Sequence, residues 1–460
     1  MPALNSREEN VYSLITPEIR ADAEQAKLSD QIDPQLYIDY NVKRGLRDVN
    51  GKGVLAGLTN IAEIRARKVE NGEEVSDDGR LYYRGYEIHD LIRGLKEDQR
   101  FGFEETAYLL LFGNLPTRDQ LDRFSNQLLF YRSLPKNFVR DVIMKAPGTD
   151  MMNILMRSVL TLYPYDDHAS DISLPNVLRQ SMQLISLFPM LSIYGYQAFR
   201  HYEENDSLII HNPLDHGSIA ENILHLLRPD GKYNDLEAKA LDMALILHMD
   251  HGGGNNSAFT MHVVTSTHTD TYSAVAASLA SLKGPRHGGA NIKVVQMFDD
   301  LEVNVRDWTD EEEIADYLKK LLAGEAFDHK GLIYGVGHAV YSKSDPRAEI
   351  FRGYVQKLAE FEGRQQEYAL YERVARLAPK VIAEQRRMYK GVCVNVDFFS
   401  GFAYSMLGLP RELFTPLFAM ARIVGWSAHR MEELANNGKI IRPAYKSIAP
   451  LRAYVPIDRR

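Results

Sequence analysis

The chain has 460 residues, 45% apolar and 25% charged, the profile of an ordinary globular protein long enough for large cores and more than one domain. Its 54 Lys and Arg are outnumbered by 62 Asp and Glu, and a net charge of -8 excludes nucleic-acid binding through a general positive field, so any anionic ligand needs a local basic cluster. The single cysteine, Cys393, excludes a disulfide scaffold and reads as a small buried apolar residue in a reducing compartment.

The opening MPALNSREENVYSLITPEIRADAEQ carries acids throughout and no apolar core followed by small residues. It is unlike a secretory or mitochondrial leader and predicts a cytoplasmic protein. Residues 58–88 are the best candidate for strands, with Asn71-Gly72 and Asp78-Gly79 reading as hairpin turns. Beyond them the period is helical. Apolar residues climb from Phe103 to Phe112, Gly113 supplies a stop, and Pro116 with Thr117 opens the next helix, Gln120 completing a capping box. The most apolar stretch, residues 184–199, is broken by Pro189 and carries Ser186, Ser192 and Gln197, short of the ~20 clean residues of a bilayer span. Ser218 with Glu221 caps the ILHLL helix, and Asp270 precedes YSAVAASLASL, whose small residues allow close helix approach before Gly284 and Pro285 end it. A charged helical block from about Arg306 to Arg387 separates an Ala, Gly and His-rich stretch from an apolar one. The prediction is a mainly α fold with a smaller domain, residues 291–390, inserted in a larger one formed by 1–290 and 391–460.

Three histidine settings share a grammar: LHMDHGGGNNSAFT with His248 and His251, LKGPRHGGAN with His287, and YGVGHAVYSKSDPRAEI with His338. Glycine beside a titratable ring mounts it on a loop and lets backbone approach a ligand closely. One such histidine is usually structural; three point to a shared site. His248, Asp250 and His251 also have metal-ligand spacing, the basis for a metal-dependent hydrolase as a different reading, but no further ligand cluster completes a shell and no metal is expected. Gly252 to Gly254 are not GxGxxG and follow no parallel-strand unit, which argues against a dinucleotide site.

Asp397 stands in the apolar, aromatic run VCVNVDFFSGFAYSMLGLP, where desolvation raises its proton affinity toward that of a general base. Asn395 and Ser400 are placed to orient it; the other reading is an acid serving the start of the following helix. Arg347, Arg422 and Arg442 supply positive charge. Arg422, among Met420, Ile423 and Val424, needs a partner if buried: an internal acid, or a ligand carboxylate gripped by two parallel hydrogen bonds.

LHMDHGGGNNSAFT, LKGPRHGGAN, YGVGHAVYSKSDPRAEI, NVDFFSGF and ARIVGWSAHRMEE, in this order and at these separations, resemble citrate synthase, over roughly Tyr83 to Pro443. The resemblance implies a helical homodimer whose smaller, CoA-binding domain closes over the larger, and the condensation of acetyl-CoA with oxaloacetate and water to citrate and CoA, without a cofactor, a metal, nucleic acid or a membrane. It implies that His287 polarises the thioester carbonyl, Asp397 takes the methyl proton, and His338 polarises the ketone and protonates the forming alkoxide. His251, Arg347 and Arg422 then bind oxaloacetate, with Arg442 reaching in from the neighbouring subunit. Leu332, Ile333, Gly335, Val336 and Gly337, with Lys390 and Asn395, hold CoA. Arg286, where many relatives are apolar, is expected to lower the proton affinity of His287. No clear extra N-terminal β-domain of the hexameric forms is present. The same residues also serve 2-methylcitrate synthases, which use propionyl-CoA; one methylene changes binding by only about 1–3 kcal/mol. A non-catalytic helical interaction protein is the third reading.

Overall fold

The computed structural model describes residues 13–48, 52–386 and 391–460, which form two compact units, residues 1–57 and 58–460. In the first, α1 (Pro17–Ser29) and α2 (Pro34–Asp39) start at side-chain caps, Thr16 and Asp33, with proline in the first turn, and bury no residue.

The second unit opens with antiparallel strands β1 (Ala62–Glu70), β2 (Glu73–Tyr83) and β3 (Tyr86–Glu87), in that spatial order. Asn71 and Gly72 turn the chain at φ of 52° and 87°, as the sequence predicts. Asp78 and Gly79 do not: both lie inside β2. Gly79 answers to close approach instead, since a β-carbon there would stand 2.1 Å from the Ser344 carbonyl oxygen. Its N–H donates to Ser344 Oγ at 3.1 Å, stitching the strand to the segment that follows His338.

Helices follow: α3 (Ile88–Glu97), α4 (Phe103–Phe112), α5 (Arg118–Phe130), α6 (Met151–Thr161), α7 (Leu174–Glu203), α8 (Ile219–Leu227), α9 (Asp235–His248), α10 (Asn256–Thr265), α11 (Thr271–Lys283), α12 (Ala290–Asn304), α13 (Glu311–Ala323), α14 (Pro346–Phe361), α15 (Gln365–Arg386), α16 (Val396–Met406) and α17 (Phe414–Ala435). The fold is mainly α, as expected. The start and stop signals act as read: Gly113 ends α4 at φ 89°, Thr117 with Gln120 and Ser218 with Glu221 form capping boxes, and Asp270 caps α11.

Two helices make the centre. Every residue of α7 from Leu184 to Phe199 is buried, and the helix runs on through Pro189, which has no N–H to donate. Every residue of α17 from Ala419 to Arg430 is buried, against α4, α7, α9, α10 and α11. Leu191→Ala in the first or Ile423→Ala in the second would cost about 2–5 kcal/mol. Among the described residues no helix is long and apolar enough to cross a membrane. Cys393 is buried beside Ala66 and Tyr341, and burial pushes its thiol up to about 12, so it is inert.

Candidate active site

α9 ends at His248, and the chain turns through Gly252, at φ 79°, before Asn255 caps α10. Asp250 pins this turn. Its Oδ1 accepts the Gly252 N–H at 2.7 Å, its Oδ2 lies 3.0 Å from His429 Nε2, and its carbonyl accepts from the Tyr83 hydroxyl at 3.2 Å. Gly425 lets α17 press against the turn, because a β-carbon there would stand 2.4 Å from Asp250 Oδ2. Burial pushes the Asp250 carboxyl up, but His429, Arg422 and the Gly252 N–H outweigh it and hold the group below the usual carboxylate range. His251 is thereby presented from a fixed loop.

Its ring meets His338 edge-on with centroids 5.0 Å apart, and His338 stacks on Tyr341 at 4.8 Å. His338 Nδ1 accepts from the backbone N–H groups of Val340 (3.0 Å) and Tyr341 (3.1 Å), which places the neutral ring's proton on Nε2 and makes that atom a donor. His251 is held well below its ordinary value by burial and then by Arg347, His338, Arg422 and His287, and its Nε2 is buried without a partner. One set of charges therefore converges on this ring.

The two buried arginines beside His251 differ. Arg347, in the first turn of α14, is gripped by Asp345, with Nε to Oδ1 at 3.0 Å and Nη2 to Oδ2 at 2.7 Å. Burial pulls its proton affinity down, yet Asp345 more than restores it, so the guanidinium brings a paired rather than a free charge. Arg422 has no carboxylate within ion-pairing distance among the described residues. Nε donates to the His248 carbonyl at 2.7 Å, the guanidinium lies 4.7 Å from the Phe418 ring centre, and Nη1 is buried with no partner. Burial pulls it down to about 10, where it still holds its proton at neutral pH. The internal acid that the sequence left open as its partner is not bonded to it.

His287 follows α11 in the turn between Gly284 and Gly289. Burial, then the Arg422 charge, pushes its ring down to about 4, so it is neutral. Arg286, expected to exert this effect, is exposed, and the charge acting on His287 is that of Arg422 instead. His287 Nε2 lies 3.1 Å from Ser257 Oγ, which accepts from Trp426 Nε1 at 3.1 Å. The Ser257 hydroxyl also lies 2.9 Å from Asn255 Oδ1, to which it donates. Ser257 and Trp426 are contacts of the candidate site that sequence reasoning missed, although both stand inside the quoted motifs.

Asp397 occupies the first turn of α16, partly buried, and burial pushes its carboxyl up to about 6 against the pull of Arg347 and Arg422. Asn395 and Ser400 do not hold this carboxylate as expected. Asn395 Oδ1 caps the helix through the Asp397 N–H at 3.0 Å, and Ser400 Oγ reaches the Asp397 backbone carbonyl at 3.4 Å. Asn395 also ties down the loop before His338: its N–H donates to the Gly335 carbonyl and its Nδ2 to the Gly337 carbonyl, both at 2.9 Å. Gly335 and Gly337 sit at φ 75° and 103°, Val336 pairs with Val394, Ile333 is buried and Leu332 is exposed. Lys390 lies outside the described residues. Arg442 is exposed in the extended segment after α17, apart from the buried groups.

His248, Asp250 and His251 do not converge as metal ligands. His248 Nε2 faces the Tyr404 hydroxyl at 2.9 Å and Asp250 is committed to His429, so no such trio forms among the described residues. The observed arrangement is instead a buried cluster in which His251, His287, Arg347, Arg422 and Asp397 act on one another electrostatically, with Arg422 Nη1 unpartnered among the described residues.

The family model described as "Citrate synthase, C-terminal domain" matches residues 45–444. The chain belongs to the citrate synthase family. It is an acyltransferase of that family. The 2-methylcitrate synthase of Shewanella oneidensis is 34% identical over 84% of this chain and 93% of its own length. The citrate synthase of Haloferax volcanii is 34% identical over 91% of this chain and 99% of its own. The solved ternary complex of carboxymethyl coenzyme A and oxaloacetate with citrate synthase from Thermoplasma acidophilum is 27% identical, with a TM-score of 0.73, covering 91% of this chain and 99% of that one. The first fifty residues, which carry no motif, are nearly all outside the matched span.

Proposed function

We propose that this cleft joins the methyl carbon of acetyl-CoA to the ketone of oxaloacetate and then hydrolyses citryl-CoA to citrate and CoA. The observation that carries the reading is the buried, unpaired Nη1 of Arg422 in one charge cluster with His251, Arg347, His287 and Asp397. A thioester methyl is a very weak acid, so a base succeeds only where a donor meets the charge appearing on the thioester oxygen. Asp397 takes the proton and neutral His287 donates to that oxygen. His338, donating from Nε2, polarises the ketone and protonates the alkoxide as the carbon–carbon bond forms. Arg422, His251 and Arg347 bind the dicarboxylate.

The finer assignments rest on the family likeness. Leu332 to Gly337, Lys390 and Asn395 hold CoA, and residues 291–390 form the small domain whose closure excludes water. The enzyme acts as a cytoplasmic homodimer in which Arg442, exposed on its extended segment, completes the oxaloacetate site of a second copy. No cofactor takes part. Free-thiol release from acetyl-CoA, assayed with and without oxaloacetate, tests the reaction: release only with oxaloacetate is expected, and release indifferent to it contradicts the reading. Propionyl-CoA is the second substrate to assay, because one of the relatives compared is a 2-methylcitrate synthase; the ratio of kcat/KM for the two thioesters decides between them.

A further inference from the structure

Behind the turn that carries His251 lies a cluster of titratable groups that the condensation does not use. His262 on α10 and His429 on α17 face each other, with His262 Nε2 3.1 Å from His429 Nδ1. The outer nitrogen of each ring is committed: His262 Nδ1 lies 2.8 Å from Glu433 Oε2, and His429 Nε2 lies 3.0 Å from Asp250 Oδ2. An ionised carboxylate only accepts, so both outer nitrogens carry protons, and in neutral rings both inner nitrogens are bare lone pairs aimed at one another. A third lone pair joins them. Glu432 Oε1 accepts the Asn60 N–H at 2.7 Å, whereas its Oε2, 3.9 Å from His429 Nδ1, is buried with no hydrogen-bond partner. Gly253, the middle of the triple glycine, adjoins the pair, since a β-carbon there would lie 3.4 Å from His262 Nε2 and 3.8 Å from His429 Nδ1. The three donor atoms lie within 4.8 Å of one another.

We propose that His262 Nε2, His429 Nδ1 and Glu432 Oε2 bind a divalent transition-metal ion of the zinc class. Tetrahedral zinc, with nitrogens at about 2.0–2.1 Å, holds two imidazole nitrogens roughly 3.3 Å apart, close to the spacing already present. Two imidazoles and one carboxylate form a known three-ligand zinc set with water in the fourth position. Glu433 and Asp250, on the outer nitrogens, are the carboxylates that fix the tautomer and orientation of such ligands. His429 and Glu432 share a face of α17 at a spacing of three residues, and His262 comes from α10, so the ion cross-links two helices. Through Asp250 it also braces the turn that presents His251. The ion is structural and takes no part in the condensation.

The test is calorimetric titration of metal-stripped, full-length protein with Zn²⁺, with Co²⁺ as a visible-absorption probe, alongside His262→Gln and Glu432→Gln. The glutamine at 432 keeps an acceptor for the Asn60 N–H and removes the charge. We expect about one zinc per chain, a tetrahedral cobalt spectrum, a higher melting temperature with zinc, and a loss of roughly 100-fold or more in affinity in both variants, whose metal-free circular dichroism matches the parent. No zinc binding by the parent, or binding of equal affinity in both variants, overturns the proposal; a proton shared between the two rings is then the only cation of the cluster.

Discussion

Arg422 and Arg430 project from the same helix, are both almost wholly buried, and are both pulled down by burial to about 10. Their surroundings are opposite. Arg430 donates to Thr271 Oγ1 at 3.2 Å, Thr265 Oγ1 at 3.1 Å and the Thr269 carbonyl at 2.7 Å, closing the loop between α10 and α11. Arg422 makes one bond to a carbonyl and, among the described residues, leaves Nη1 without a partner. Burying a charge is expensive unless it is bonded, so the first arginine is explained by the fold alone and the second only by a ligand.

Breaking the unsatisfied side should cost chemistry and spare the fold. Asp397→Asn is expected to lower kcat by about 10²- to 10⁴-fold with little change in oxaloacetate affinity, measured by steady-state kinetics and calorimetry. Because the folded carboxyl is raised to about 6, above its unfolded value, the stability it lends is complete only in acid and is lost as pH rises through 6. At pH 8 the asparagine variant should therefore melt higher than the parent, by the equivalent of about 2–3 kcal/mol at most. The parent's kcat/KM should fall tenfold per pH unit below about 6, as the base is protonated, while His287, at about 4, stays neutral.

The two arginines supply the next test. Arg422→Leu should weaken oxaloacetate binding roughly 100-fold, the worth of a bidentate charged contact, and leave the melting temperature equal or higher. Arg430→Leu should do the reverse, costing about 3 kcal/mol of stability by denaturant titration with KM for oxaloacetate unchanged. Equal effects of the two on both readouts would erase the distinction. A smaller effect is expected at Ser257→Ala, which removes the hydroxyl that holds the His287 ring through Nε2: about tenfold in kcat by steady-state kinetics, with oxaloacetate affinity retained. Gly79→Ala, on the satisfied side, should cost about 1–3 kcal/mol in thermal melts through its clash with the Ser344 carbonyl.

Much of this was legible beforehand, because helix caps and glycine-flanked histidines are local signals. Gly113, Thr117, Ser218 and Asp270 act where they stand, and the residues that gather in the pocket are those of the quoted motifs. What escaped reading depends on distant neighbours. Gly79 looks like a turn until Ser344, 265 residues on, is seen against it. Asn395 and Ser400 sit beside Asp397 in sequence, yet bond to backbone, since a helix start claims its nearest polar groups first. Whether Arg422 had an internal acid was undecidable from its own segment, and the Ser257–His287–Trp426 link spans two helices and a loop. Arg286 misled because adjacency in the chain is weaker electrostatics than the through-space charge of Arg422.

The central claim is that Asp397 removes a proton from the acyl carbon while His287 meets the oxygen. Deuterium uptake into the methyl group of acetyl-CoA measures that step apart from condensation, in D₂O with a dicarboxylate that lacks a reactive ketone filling the oxaloacetate site. The account predicts uptake catalysed by the parent enzyme, lost in Asp397→Asn and strongly reduced in His287→Ala; undiminished uptake in Asp397→Asn would contradict it.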